Sequence, residues 1–142
     1  MKILLSRDGI IADKPEVVKL LLGRGDVNPD KPNDCGETPL WWAARKGREE
    51  IAKLLLDRGD VSHSRQNHRG QTPLWSAVEG RREQVVKILL QQGQVDPNKP
   101  NHRGETPLCW AALNGFEKMV RLLVGRDGIN TDKPDLSGST PL

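Results

Sequence analysis

The residues of this chain best suited to chemistry are three histidines (His63, His68, His102), two cysteines (Cys35, Cys109) and two Arg-Gly-Asp tripeptides at 24–26 and 58–60. A zinc site takes four ligands in tetrahedral array, drawn from Cys, His and acids. His68 and His102 are 34 residues apart and could face one another, but Cys35 stands one position past the register they share. Solvated histidines are therefore expected rather than a metal centre. No nucleophile, base and orienting group fall into a known arrangement. The chain has no Gly-x-Ser-x-Gly, no His-Glu-x-x-His and no Gly-Lys-Ser/Thr loop. The adjacent acids Glu49 and Glu50 lie at a helix start, where they favour the dipole. Arg-Gly-Asp is the tripeptide that integrins read, yet both copies fall at one place in a longer pattern, with Gln92-Gly93-Gln94 as the third member. A turn is expected there, not a ligand. No catalytic, cofactor or metal site is expected, and the chain reads as a non-enzyme.

The longer pattern is what would position any of these groups. Thr-Pro-Leu recurs at Thr38-Pro39-Leu40, Thr72-Pro73-Leu74, Thr106-Pro107-Leu108 and Thr140-Pro141-Leu142, each 34 residues after the last. Such a period marks a stacked repeat array. The triplet starts a helix. Thr can accept a first-turn N–H, and Pro fits the next position because its missing N–H has no partner there anyway. Apolar runs at 50–56, 84–90 and 118–124 form a second helix in each unit, nearly continuous in its apolar residues and so expected to be buried. A Gly-marked stop, a short Val or Ile piece and a polar finger complete the unit. The fingers span 28–37, 62–71, 96–105 and 130–139. Each carries a glycine (Gly36, Gly70, Gly104, Gly138) two residues before Thr, suited to a turn of positive φ. Pro32, Pro100 and Pro134 stiffen three fingers; Gln66 replaces proline in the second, which is expected to be the most mobile.

At these residues the chain resembles the ankyrin repeat, whose first helix opens Thr-Pro-Leu-His-x-Ala. The family's His is replaced by Trp41, Trp75 and Cys109, and Arg81 stands where Gly47 and Gly115 follow the first helix in the other units. The resemblance implies an all-α solenoid of stacked helix-turn-helix units with protruding β-hairpin-like fingers. It divides the single domain 1–142 into a degenerate half unit at 1–15, a partial repeat at 16–37, full repeats at 38–71, 72–105 and 106–139, and the start of another at 140–142. The 34-residue variant, with Asp-Lys-Pro in the finger and Trp after Thr-Pro-Leu, resembles the long arrays of fungal intracellular receptor-like proteins.

Composition agrees. Hydrophobic residues are 35% and aromatics 4%, thin for one central core but enough for units that bury surface against neighbours. Formal charge is +3, a mild basic balance that favours acidic partners without selecting a class. The cysteines lie two units apart, roughly 20 Å at 8–10 Å per helix layer, too far for a disulfide. Free thiols fit a reducing compartment, cytoplasmic or nuclear. No segment reaches the length of a membrane span. Residues 2–5, followed at half a period by 19–22, look like the end of a unit whose finger and first helix are missing. A short helix near 2–6 is expected there. The outer side of the last helix pair, with Leu113, Met119 and Leu122, is expected to be partly uncovered, which would permit end-to-end self-association.

In the resembled family ligands lie on the concave side, against finger tips and exposed first-helix positions. Carried over slot by slot, this implies three sets of partner-binding residues: Asp34, Cys35, Glu37, Arg45 and Lys46; His68, Arg69, Gln71, Glu79 and Gly80; His102, Arg103, Glu105, Leu113 and Asn114. The first finger is acidic and the second basic through Arg65 and Arg69. Trp41, Trp75 and Cys109 share one helical slot; Trp42, Ser76 and Trp110 share the next, about 100° around, so the two slots cannot be equally buried. These rings are expected to fill the space between repeats, with Trp41 or Trp75 as an alternative anchor for a partner. The function implied is a non-catalytic module binding another protein. The alternatives are a structural or autoinhibitory arm of a larger receptor-like protein and, less favoured, nucleic-acid binding through the basic fingers.

Overall fold

The computed structural model describes residues 14–141. The helix expected near 2–6, and with it most of the half unit at 1–15, lies outside the described residues. Within them the chain forms seven helices of seven or eight residues and no strands. The first helices of the units are α2 (Pro39–Lys46), α4 (Pro73–Glu79) and α6 (Pro107–Leu113). The second helices are α1 (Pro15–Leu22), α3 (Glu49–Leu56), α5 (Glu83–Leu90) and α7 (Glu117–Val124). First helices pack on first helices (α2 on α4, α4 on α6), and second helices on second helices (α1 on α3, α3 on α5, α5 on α7). This is the all-α repeat solenoid the triplets imply.

Helices this short are marginal alone; caps and packing hold them. Thr38, Thr72 and Thr106 each accept the N–H of the third helical residue, at 3.2, 3.2 and 3.1 Å. Leu40, Leu74 and Leu108 are fully buried, and truncating any one to Ala costs about 2–5 kcal/mol. Val27, Val61 and Val95, just past the second helices, close the same core.

The sharp turn between the helices of a unit needs a left-handed residue. Gly47 and Gly115 supply it at φ 72° and 66°. In the middle unit Arg81 does so at φ 57°, the single non-Gly residue with positive φ among those described. Each turn is closed by the next residue's N–H on the first helix: Arg48 to the Ala43 carbonyl at 2.8 Å, Arg82 to Ala77 at 2.9 Å, Phe116 to Ala111 at 2.8 Å. Glycines end two of the second helices, Gly23 after α1 and Gly125 after α7, but in the right-handed conformation. α1 and α3 stop at Leu22 and Leu56 with right-handed caps at Gly23 and Asp57, and Gly25 and Gly59 follow in open space.

One burial expectation needs correction. Met119 is buried, while Leu113 (57% exposed), Val124 (43%) and Leu136 (80%) are the open apolar side chains at the last unit. α1 buries only Val18 and leaves Leu20 exposed, because among the described residues no first helix backs it.

Candidate partner-binding cleft

The fingers are built on a slot that sequence reading passed over. Asn33 Oδ1 accepts the N–H groups of Cys35 and Glu37 at 2.9 and 3.0 Å. Asn67 does the same for Arg69 and Gln71, Asn101 for Arg103 and Glu105, and Asp135 for Ser137 and Ser139. A short polar side chain bonding backbone two and four residues on makes a tight loop without strands. Hairpin closure is limited to bonds such as Asn33 N–H to the Glu37 carbonyl at 3.0 Å. The recurrence of Asn33, Asn67 and Asn101 at the 34-residue period was the available signal.

Successive fingers are coupled by one backbone hydrogen bond each. His68 N–H donates to the Cys35 carbonyl, His102 N–H to Arg69, and Leu136 N–H to Arg103, all at 3.0 Å. Gly36, Gly70 and Gly104, at φ 77–78°, lie directly beneath His68, His102 and Leu136. A Cβ on any of them would come within 2.5–2.9 Å of the residue above. Gln66, expected to loosen the second finger, instead ties it down. Its amide donates to Gly70's carbonyl at 2.7 Å and to Pro100's at 2.9 Å, crossing to the next finger. Arg65 reaches back to Asp30 at 3.4 Å, so part of the charge step between the first two fingers is spent internally.

Between the second and third fingers and helices α4 and α6 lies a cleft of about 360 Å³. Its floor is Trp75 and Trp110, whose rings stand 5.0 Å apart at 42°. Trp75 is 1% exposed, and its indole N–H donates to the Glu105 carbonyl at 3.2 Å. The rim carries His68, Arg69, His102 and Arg103, and Glu79, Glu105, Gln71 and Asn101 complete the wall. Arg69 and Arg103 are exposed and have no ion-pair partner among the described residues. The acids are engaged. Glu79 pairs with Arg45 at 2.8 Å, and Glu105 accepts from Asn101 Nδ2 at 2.8 Å.

This gathers His68, Arg69, Gln71 and Glu79 of the second set with His102, Arg103 and Glu105 of the third, and leaves out Gly80, Leu113, Asn114 and the whole first set. Arg45 holds Glu79. Lys46 lies over the Trp42 ring at 5.3 Å. Asp34 is exposed, and Glu37 accepts from Asn33 at 3.0 Å. Gln71 is buried and bonded to Asn67 at 3.1 Å, so it braces its finger. Leu113 is exposed, and Asn114 is bonded to the Trp110 carbonyl at 2.8 Å, ending its own helix. Of the indoles, Trp41 and Trp75 are buried and Trp42 and Trp110 half-buried, the inequality the helical period demands. Trp75 and Trp110 together, rather than Trp75 alone, face the cleft. Repetition had assigned Trp110 to structure only.

Other candidate groups are held in structural contacts. Arg24 binds Asp26 through two bonds at 2.8 and 2.7 Å, and Arg58 binds Asp60 identically. These arginines hold Asp26 and Asp60 below the usual carboxylate range, and side chains clasped together do not present an extended Arg-Gly-Asp ligand. His63 is buried, not solvated, at 8% exposure, in the slot that Pro29 and Pro97 occupy in neighbouring units. Cys35 is exposed and Cys109 buried, both as free thiols; burial pushes the Cys109 thiol up. Among the described residues no three of His, Cys, Asp and Glu converge as a metal site would need, and no helix is long and apolar enough to cross a membrane.

Comparison with known families gives two matches. The model for ankyrin repeats in three copies matches residues 9–101, and that for a single ankyrin repeat matches residues 103–136. No curated protein matches significantly.

Proposed function

We propose that this chain, which belongs to the ankyrin repeat family, is a non-catalytic module that holds a partner protein against the face formed by its fingers and first helices. Ankyrin repeats are generally protein–protein interaction modules. The observation that carries the reading is the cleft floored by Trp75 and Trp110 and rimmed by Arg69 and Arg103, which are unpaired among the described residues. Aromatic and Arg side chains dominate binding energy at protein interfaces. The site is also preorganised. The finger-to-finger bonds and the Asn-closed tips fix the rim before a partner arrives, which lowers the ordering cost of association. A reducing compartment, cytoplasmic or nuclear, suits the exposed thiol of Cys35.

Affinity capture with wild type beside the Arg69→Glu/Arg103→Glu double variant tests this. Both arginines are exposed and make no side-chain bond among the described residues, so the variant is expected to keep its fold. Partner recovery is expected to fall at least tenfold. Equal recovery overturns the assignment of the binding face.

A second reading rests on the open apolar side chains of the last unit. Leu113, Val124 and Leu136 form an end against which another solenoid end could stack. Light scattering across a concentration series tests it. A mass that rises with concentration and is lowered by Leu136→Glu supports stacking; a constant monomer mass removes it.

A further inference from the structure

We infer that the occupant of the cleft is an acidic protein segment, extended along the rim, with an apolar side chain on the indole floor and two carboxylates about three residues apart on Arg69 and Arg103. The inference rests on the cleft reading above and deepens it. Charge carries it. Arg69 and Arg103 on the rim are exposed and unpaired among the described residues, whereas both acids of the wall are already held, Glu79 by Arg45 and Glu105 by Asn101. A basic segment would have to compete with Arg45 for Glu79. An acidic one meets two guanidinium forks with nothing to displace.

Spacing sharpens the claim. Arg69 and Arg103 hold one slot in adjacent fingers, and His102 N–H bonded to the Arg69 carbonyl locks those fingers together. Adjacent layers stand roughly 8–10 Å apart, and an extended chain rises roughly 3.3 Å per residue. Carboxylates at positions i and i+3 therefore match the two arginines. The residues between them can lay one apolar side chain on half-buried Trp110, which the buried Trp75 ring backs from beneath. A protein segment is favoured over a nucleic-acid backbone because ankyrin repeats are generally protein–protein interaction modules.

The test is a random library of short peptides panned against the whole chain. The selected peptides are then titrated while the indole N–H resonances of Trp75 and Trp110 are followed, and repeated on Arg69→Glu/Arg103→Glu. The expected result is an acid-rich set with i, i+3 spacing that shifts both indoles and loses tenfold or more in affinity on charge reversal. Peptides that shift the indoles but show no acidic bias overturn this inference and leave the cleft reading standing. If no selected peptide shifts either indole, the cleft reading falls and this inference with it. A single-stranded oligonucleotide that displaces the peptides and binds more tightly, with the same dependence on Arg69 and Arg103, reassigns the rim to nucleic acid and overturns the inference.

Discussion

Helix α4 meets α2 on one side and α6 on the other, and the two junctions use one pair of slots in opposite ways. Toward α2, the slot after Trp75 is Ser76. Its Oγ lies 2.8 Å from the Pro73 carbonyl oxygen and 3.1 Å from that of Trp41. A small hydroxyl lets the backbones approach, and the Arg45–Glu79 pair closes the top. Toward α6, the equivalent slot is Trp110, an indole laid on Trp75, and α4 and α6 pack less extensively than α2 and α4. The bulkier side chain keeps the helices from closing, and Leu113, in the slot of Arg45 and Glu79, cannot pair across the gap. Identical scaffolding thus gives a sealed joint and an open one, decided by a serine or a tryptophan.

The largest expected effect is at the shared wall. Trp75→Ala empties a fully buried site and should cost about 3–5 kcal/mol in urea unfolding. Trp42→Ala, half-buried with no first helix before it among the described residues, should cost well under half as much. Equal losses would mean that the indoles do not differ in packing as described. Next, Ser76→Trp overpacks the closed junction and should cost about 1–3 kcal/mol. Trp110→Ser should leave a folded protein whose ligands bind at least tenfold more weakly. A neutral Ser76→Trp would break the idea that this slot sets the gap.

A smaller effect is expected at the helix turns. Gly47 serves the left-handed turn of the first full unit, and Arg81 that of the second, with its guanidinium 4.8 Å from the centre of the Phe116 ring. Arg81→Gly relieves a left-handed side chain worth roughly 1–2 kcal/mol and gives up a cation–π contact worth roughly 0.5–1 kcal/mol. Arg81→Ala gives up the contact and keeps the strain. Glycine should therefore be the more stable variant by about 1 kcal/mol in denaturant titration; the reverse order would show that the left-handed backbone at this position carries no strain. The smallest effect is on the thiols. Cys35 should react with an aromatic disulfide reagent at once, and Cys109 only on unfolding. Because burial raises the Cys109 pKa, its contribution to stability is complete below the unfolded-state value and is lost as pH climbs toward the folded one. Cys109→Ser should therefore flatten the alkaline end of the stability profile.

The repeat architecture was legible because its causes are local. Thr caps, Pro at the first helical position and left-handed glycines at fixed offsets recur with the period, and each does in the structure what its chemistry requires. The cleft was half legible. Slot transfer named Arg69, Arg103, His68, His102, Glu79 and Glu105, but it could not show that Glu79 is engaged by Arg45 across the joint, or that Trp110 in place of Ser76 opens the floor. Those facts depend on which side chains meet between units. His63, Met119 and Gln66 were misjudged for the same reason: polarity and position in one unit do not say what the neighbouring unit lays over them.

The amides of His68, His102 and Leu136, each anchored to the finger before it, turn the row of tips into a ruler. Whatever lies along it is measured in equal steps, and a target whose charges fall off that beat pays in strained geometry at every mark. Lengthening the array by a whole unit would add another graduation without disturbing those already there.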